Sequence, residues 1–151
     1  LMNLPQMPDI QWYEKNYRAI IDRLQKETDA KIAVLSLPPV TEDPKHPGYQ
    51  KSKTYSALVE TIAKEKGLVF LPLNRTMTQA IEAQEKSLVS NYVGGNRGQM
   101  YQAIFYHYIF RQSWDEIADG FGYQYLTDNI HLNGRGGRVV ADLISGFLLG
   151  Q

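Results

Sequence analysis

The feature that most constrains the fold is a pair of short apolar runs, each preceded by an amphipathic segment. The runs lie at residues 31–37 and 68–71. Continuous apolar runs of this length are typical of strands covered on both faces, as in parallel sheets. The segments before them, residues 8–27 and 49–66, carry apolar side chains at helical spacing. The order helix, strand, helix, strand therefore predicts an α/β fold with a parallel sheet and right-handed crossovers.

The middle of the chain has a different pattern, because residues 74–122 contain no good strand signal. Helical spacing predicts helices at residues 77–88 and 99–111, with a glycine-containing break at residues 94–96. We interpret residues 74–122 as a helical insertion. Insertions near strand ends are more often a pocket wall or a lid than part of the central core.

Local signals mark two further helix starts. Ser113 followed by Glu116 matches a capping box, which predicts a short helix to about Ala118. The last helix is predicted at residues 136–149, after a glycine-rich stretch at residues 134–137. That stretch resembles a phosphate-binding loop only by its glycine content, because it lacks the lysine and the spacing. We interpret it as the turn into the last helix.

The composition narrows the function classes. A chain of 151 residues fits one domain, and its sixteen basic residues balance sixteen acidic ones without forming charge blocks. Neither nucleic acid nor an anionic membrane is therefore expected as a partner. The absence of cysteine excludes disulfides, thiolate metal sites and a cysteine nucleophile. No apolar run has the roughly 20 residues of a transmembrane segment, and no signal peptide pattern is visible, which leaves the compartment undecided.

The histidines do not suggest a metal site. His46, His107 and His131 are far apart in sequence and match no metal-binding spacing, so we expect neither a metal nor a cofactor. His107 lies in an aromatic segment, where packing is the simpler interpretation and the wall of an acyl pocket is the alternative. His46, in a proline-rich segment predicted as a loop, is expected to be solvated.

Asp128 and His131 are the candidate catalytic residues, in the stretch Thr-Asp-Asn-Ile-His-Leu-Asn at residues 127–133. An aspartate at this position can accept the Nδ1–H of the histidine, fix its tautomer and leave Nε2 as a general base. The spacing alone is a weak signal, and the alternative is an aspartate that caps a turn beside a surface histidine. The context favours chemistry, because functional groups in open α/β sheets gather at the carboxyl ends of strands.

Residues 127–148 resemble the last conserved block of the SGNH (GDSL-type) hydrolase family. In that family an Asp-x-x-His pair, followed by Leu-Asn and a glycine before the final helix, supplies the acid and base of a catalytic triad. Residues 16–21 and 32–39 are similar to the helix, strand and proline-rich loop that come after the family's Asn-containing block. The resemblance implies a flavodoxin-like three-layer α/β/α sandwich, with His131 as general base and Asp128 as its orienting partner.

The other catalytic blocks of that family have no counterpart here. The sequence contains neither the Gly-Asp-Ser nucleophile motif nor the Gly-x-Asn-Asp motif of the oxyanion hole. Ser36 lies near the end of a predicted strand, but Leu37 and two prolines follow it, without the small residue and helix start that expose a nucleophile. Ser113 is better explained as an N-cap. We therefore interpret residues 1–151 as the C-terminal part of a single SGNH hydrolase-like domain that is incomplete in this fragment.

The resemblance implies a serine-dependent ester hydrolase, of the carboxylesterase, acetylesterase or lipase-like kind, to which this chain contributes the Asp-His half of the triad. The expected substrate is a small ester, such as an acetylated sugar or a short acyl ester. The alternative is a non-catalytic interaction or carbohydrate-binding module with the same fold. The strand at residues 32–37 would lack one partner, so we expect association with a missing N-terminal portion or with a second copy, and no activity from the fragment alone.

Overall fold

The computed structural model describes residues 9–84 and 98–150, where α-helices surround a two-stranded parallel sheet. In chain order the elements are α1 (Ile10–Glu27), β1 (Ala33–Leu35), α2 (Pro47–Glu65), β2 (Val69–Leu71), α3 (Leu73–Glu82), α4 (Gly98–Ile109), α5 (Trp114–Phe121) and α6 (Gly134–Leu149). The predicted order of helices and strands is confirmed, and so is the α/β fold class.

The sheet separates two layers of helices. β1 and β2 pair in parallel, with Ala33 opposite Val69 and Leu35 opposite Leu71. Because side chains alternate across a strand, Val34 and Leu35 point to opposite faces. Val34 packs in one cluster with α1 and α2, whereas Leu35 packs against a second cluster that α3 and α6 largely build. The described part of the chain is thus a three-layer α/β/α arrangement, as predicted.

Two helix starts in the first half are set by side-chain caps. Asp9 accepts the backbone N–H of Gln11 at 2.6 Å, and α1 follows directly. His46 accepts the backbone N–H of Gly48 through Nδ1 at 3.0 Å, so α2 begins at Pro47, two residues earlier than predicted. The imidazole of His46, which is half-buried, thus replaces the usual hydroxyl or carboxylate cap, a role that the sequence analysis did not predict.

The described part of residues 74–122 contains helices and no strand. α3 begins four residues before the predicted position 77, while the predicted continuation beyond residue 84 and the break at residues 94–96 lie outside the described residues. The capping box is confirmed, since the backbone N–H of Glu116 donates to Ser113 Oγ at 3.2 Å and the Glu116 carboxylate accepts the backbone N–H of Ser113 at 2.7 Å. α5 continues to Phe121 because Gly122, at φ 82°, provides a left-handed C-cap.

The glycine-rich stretch forms the first turn of α6 and does not precede the helix as a separate turn. The helix begins at Gly134 because Asn133 caps it, accepting the backbone N–H of Gly136 at 2.9 Å. A Cβ on Gly136 would lie 2.5 Å from the carbonyl oxygen of Tyr125 and 2.9 Å from Cδ2 of Leu132. The missing side chain therefore lets α6 pack directly against the segment before it.

Replacing Gly136 with alanine is expected to lower the free energy of unfolding by about 1–3 kcal/mol, because the new methyl group overlaps a backbone oxygen. Gly137→Ala is the matched control in the same helical turn, since a Cβ there meets nothing within 4 Å. That variant is expected to gain roughly 0.5–1 kcal/mol from helix propensity. Urea unfolding measures both effects, and shifts of the same sign would contradict a close approach at position 136.

Candidate active site

Asp128 and His131 lie on a loop that closes on itself before α6. The backbone N–H of Thr127 donates to the carbonyl oxygen of His131 at 2.7 Å, and Leu126 pairs with Leu132 in an isolated antiparallel bridge. The 126–132 loop, as we call this segment, reverses direction at Asn129, whose φ is 76°. Asparagine tolerates this left-handed conformation better than most residues.

The structure brings the two predicted catalytic side chains together. Nδ1 of His131 lies 2.8 Å from Oδ2 and 2.9 Å from Oδ1 of Asp128. Because an ionised carboxylate only accepts hydrogen bonds, a neutral imidazole in this contact would carry its proton on Nδ1 and present the lone pair of Nε2. The Asp128 side chain is 6% exposed and the His131 side chain 62%. A buried acceptor thus orients an imidazole that reaches solvent, which is the arrangement a general base requires.

The carboxylate of Asp128 is itself held by the backbone of its own loop. Its Oδ1 accepts the backbone N–H of His131 at 3.0 Å and that of Ile130 at 3.3 Å. These bonds fix the side-chain rotamer of Asp128 before any substrate arrives. The imidazole is consequently positioned by a preorganised partner and not by a mobile surface carboxylate.

Thr41 anchors the 126–132 loop from the segment that leaves the carboxyl end of β1. Its backbone N–H donates to the carbonyl oxygen of Asn129 at 2.8 Å, and its Oγ1 donates to Asn129 Oδ1 at 2.9 Å. The Tyr123 hydroxyl donates to the same Oδ1 at 2.8 Å. All three residues are buried. The loop therefore lies at the end of the sheet where α/β proteins place their functional groups.

Glu42 holds the segment that enters the loop. Its carboxylate accepts the backbone N–H groups of Gln124, Tyr125 and Leu126 at 2.7, 2.6 and 2.8 Å. The residue is 4% exposed, and this burial raises the pKa of the Glu42 carboxyl, against the opposing effects of the three N–H donors and the Arg135 charge. Sequence analysis missed both Thr41 and Glu42, because their partners are largely backbone atoms of a distant segment.

His131 lines an open cleft of about 320 Å³ whose walls are mostly apolar. α4 and α5, which belong to the segment interpreted as an insertion, supply much of the wall. The apolar lining residues are Met100, Ala103, Ile104, Trp114 and Leu132. An ester bound against the imidazole would therefore have one substituent in contact with hydrocarbon and not with water.

His107 packs behind this wall. Its ring stacks on Trp114 with 3.9 Å between centroids and 15° between planes, and its Nδ1 lies 2.8 Å from the carbonyl oxygen of Gln112. The packing interpretation fits these contacts. Within residues 9–84 and 98–150, no group of three or more potential metal-ligating His, Asp or Glu residues occurs, and no helix in those ranges is long and apolar enough to span a bilayer.

No serine among the described residues lines the cleft. Ser36 is 2% exposed, and its Oγ accepts the backbone N–H of Asn74 at 2.9 Å, so this hydroxyl holds the start of α3. Ser113 is occupied as the N-cap of α5. Ser87 and Ser90 lie outside the described residues. Within residues 9–84 and 98–150, the Asp128–His131 pair therefore has no serine beside it in the cleft.

Solved structures of esterases share this fold at low sequence identity. One is an acetyl xylan esterase, with a TM-score of 0.60, 17% identity and coverage of 93% of this chain and 56% of that one. An α/β hydrolase enzyme from the metagenome of Lake Arreo, Spain, gives 0.57 and 14%, with coverage of 95% and 50%. An acetylxylan esterase from Geobacillus stearothermophilus gives 0.57 and 14%, with coverage of 94% and 50%.

The comparisons establish the fold and its extent. No family model matches this sequence, and no curated protein does. This chain spans about half the length of the structures that it matches. It therefore shares the α/β fold of these structures, of which the described elements form an incomplete version.

Proposed function

We propose that this chain is the acid–base half of a serine-dependent ester hydrolase of the SGNH (GDSL) type. The observation that carries the proposal is the contact between the buried Asp128 carboxylate and Nδ1 of an exposed His131 that lines an open cleft. The esterases among the similar structures support an ester as the substrate class. We assign His131 as the general base and Asp128 as the residue that fixes its tautomer.

The reaction follows from these assignments. A serine hydroxyl attacks the ester carbonyl while Nε2 of His131 takes its proton. The tetrahedral intermediate then breaks its bond to the alcohol oxygen, which leaves with the proton from the imidazolium. Water next gives a proton to Nε2 and attacks the acyl-serine. The serine oxygen then leaves with the proton from the imidazolium, which releases the carboxylic acid and restores both the serine and the imidazole. Asp128 stabilises the positive charge that the imidazole carries in both halves of the cycle.

In this proposal the serine belongs to a segment outside these 151 residues, and this chain is the C-terminal part of the domain. The sequence lacks a Gly-Asp-Ser motif, and the similar esterases are about twice as long. Among the described strands, β1 pairs only with β2. α1 and α6 expose apolar side chains, among them Ile20, Leu24, Leu148 and Leu149. The open strand edge and these faces support association with the serine-bearing segment.

A fluorophosphonate probe, which forms a covalent bond with an activated serine, tests this assignment. We expect the longer protein that contains this chain to be labelled at one serine outside the 151 residues, located by peptide mass mapping, and the 151-residue chain alone to remain unlabelled. An unlabelled longer protein would favour the non-catalytic module. A label on a serine within these residues would show that the nucleophile was misassigned.

A further inference from the structure

The apolar wall of the cleft continues onto an exposed face of α4. Tyr101, Ile104, Phe105 and Tyr108 follow one another at helical spacing and are 59%, 41%, 51% and 70% exposed. Ile104 belongs to both surfaces, since it also lines the cleft beside His131. From residue 101 to residue 108 the helix rises by about 10 Å. An apolar strip therefore leads from the imidazole along α4.

The volume of the cleft sets the size of the group that fits. A cavity of about 150 Å³ is large enough to hold benzene, which has six heavy atoms. The cleft measures about 320 Å³, so by the same scale it accommodates roughly a dozen heavy atoms. An acetyl group would leave most of this space to water in contact with Ala103, Ile104 and Leu132. A linear chain of about eight carbons would fill it and follow the apolar strip.

We infer that the cleft beside His131 is an acyl subsite for medium-chain esters, with the chain lying along α4. The inference rests on the proposed function for its reaction, because the acyl carbonyl must lie near Nε2. The assignment of an apolar subsite is supported independently by the lining residues and by the continuity of the cleft with the strip. It separates this chain in substrate class from the acetyl xylan esterases whose fold it shares.

Binding of the product acid tests the subsite without any turnover. Trp114 lines the cleft, and replacing Trp12 with phenylalanine leaves Trp114 as the single tryptophan of the chain. We expect sodium octanoate to change the Trp114 fluorescence saturably, and acetate at equal concentration to leave it unchanged. Ile104→Ser is expected to weaken octanoate binding by about fivefold to tenfold, because the apolar side chain that the octanoate chain would cover is lost.

Ile109→Ser is the matched control, since Ile109 lies on the same helix, is 62% exposed and does not line the cleft. It should bind octanoate as tightly as the parent. Equal weakening by the two variants, or equal responses to octanoate and acetate, would overturn the subsite. If the protein binds octanoate but a fluorophosphonate fails to label it, the result would support the apolar subsite and contradict the proposed function.

Kinetics of the longer protein assign the subsite to the acyl side. With p-nitrophenol as the constant leaving group, we expect kcat/KM to rise by about twofold to fourfold for each of the first methylenes added to acetate. Ile104→Ser should lower kcat/KM for the octanoate ester more than kcat/KM for the acetate ester, whereas Ile109→Ser, outside the cleft, should leave the ratio of the two unchanged. In alkyl acetates the alcohol varies and the acyl group is constant. A chain-length preference found only among these esters would mean that the cleft binds the alcohol group, which would overturn the inference.

Discussion

Replacing His131 with alanine is expected to lower kcat/KM for p-nitrophenyl acetate by about 10³- to 10⁴-fold in the protein that carries the serine. In the proposed mechanism the imidazole accepts the serine proton in acylation and the water proton in deacylation, so both steps would lose their base. In the same proposal Asp128, 2.8 Å from Nδ1, fixes the tautomer that leaves Nε2 available. The hydrolysis rates of the parent and the variant, each corrected for the spontaneous rate, give the size of the effect.

His107→Ala is the matched control for this experiment. That side chain packs against Trp114 behind the cleft wall, so its loss disturbs the same region without touching the Asp128–His131 contact. We expect its rate to stay within about threefold of the parent, since no transition-state interaction is removed. Similar losses in the two variants would mean that His131 acts through folding, and equal rates in parent and His131→Ala would exclude it from the mechanism.

The sequence was sufficient for the parts of the structure that depend on local signals. The capping box at Ser113 lies within four residues of chain, and the parallel pairing of β1 with β2 follows from apolar runs joined by helices. The approach of His131 to Asp128 is of the same kind, because the two lie three positions apart and one loop positions both. Their catalytic roles remain predictions.

The supports of the loop could not be predicted, because their partners are distant and carry no side-chain signal. Glu42 bonds to backbone N–H groups that follow it by more than eighty positions, and any residue except proline offers such a donor. The cleft could not be predicted from the sequence for a related reason. Its walls come from α4, α5 and the 126–132 loop, and a volume between three segments is a property of their packing alone.

Replacing Glu42 with glutamine is expected to lower the free energy of unfolding by about 2–4 kcal/mol, or Tm by about 5–12 °C. The amide keeps the shape of the side chain but has one acceptor oxygen. In the parent, Oε1 accepts two backbone N–H groups, from Tyr125 and Leu126, and Oε2 accepts that of Gln124. In either orientation of the amide, at least one buried N–H meets an NH₂ group and loses its acceptor.

Glu27→Gln is the control, because it makes the same change at an exposed carboxylate and not at a buried one. Glu27 is 58% exposed at its side chain and pairs with Arg23 one helical turn away, so its replacement is expected to change stability by no more than about 0.5 kcal/mol. Loosening of the 126–132 loop in Glu42→Gln should also weaken the downfield Nδ1–H signal of His131 in proton NMR. An unchanged signal together with lost stability would limit Glu42 to a folding role.

The pH dependence of the Glu42→Gln effect has a defined sign. Burial raises the pKa of Glu42 above its ordinary value of 4.5, so the folded protein binds this proton more tightly than the unfolded chain does. The part of the Glu42 contribution to stability that comes from binding this proton is therefore fully present below pH 4.5 and is lost as the pH rises through the raised folded value. Because glutamine does not titrate, the difference in unfolding free energy between parent and variant should widen as the pH is lowered from neutral toward 4.5. Urea unfolding across that range measures it, and a difference that narrows would mean that the three N–H donors outweigh burial and hold Glu42 ionised.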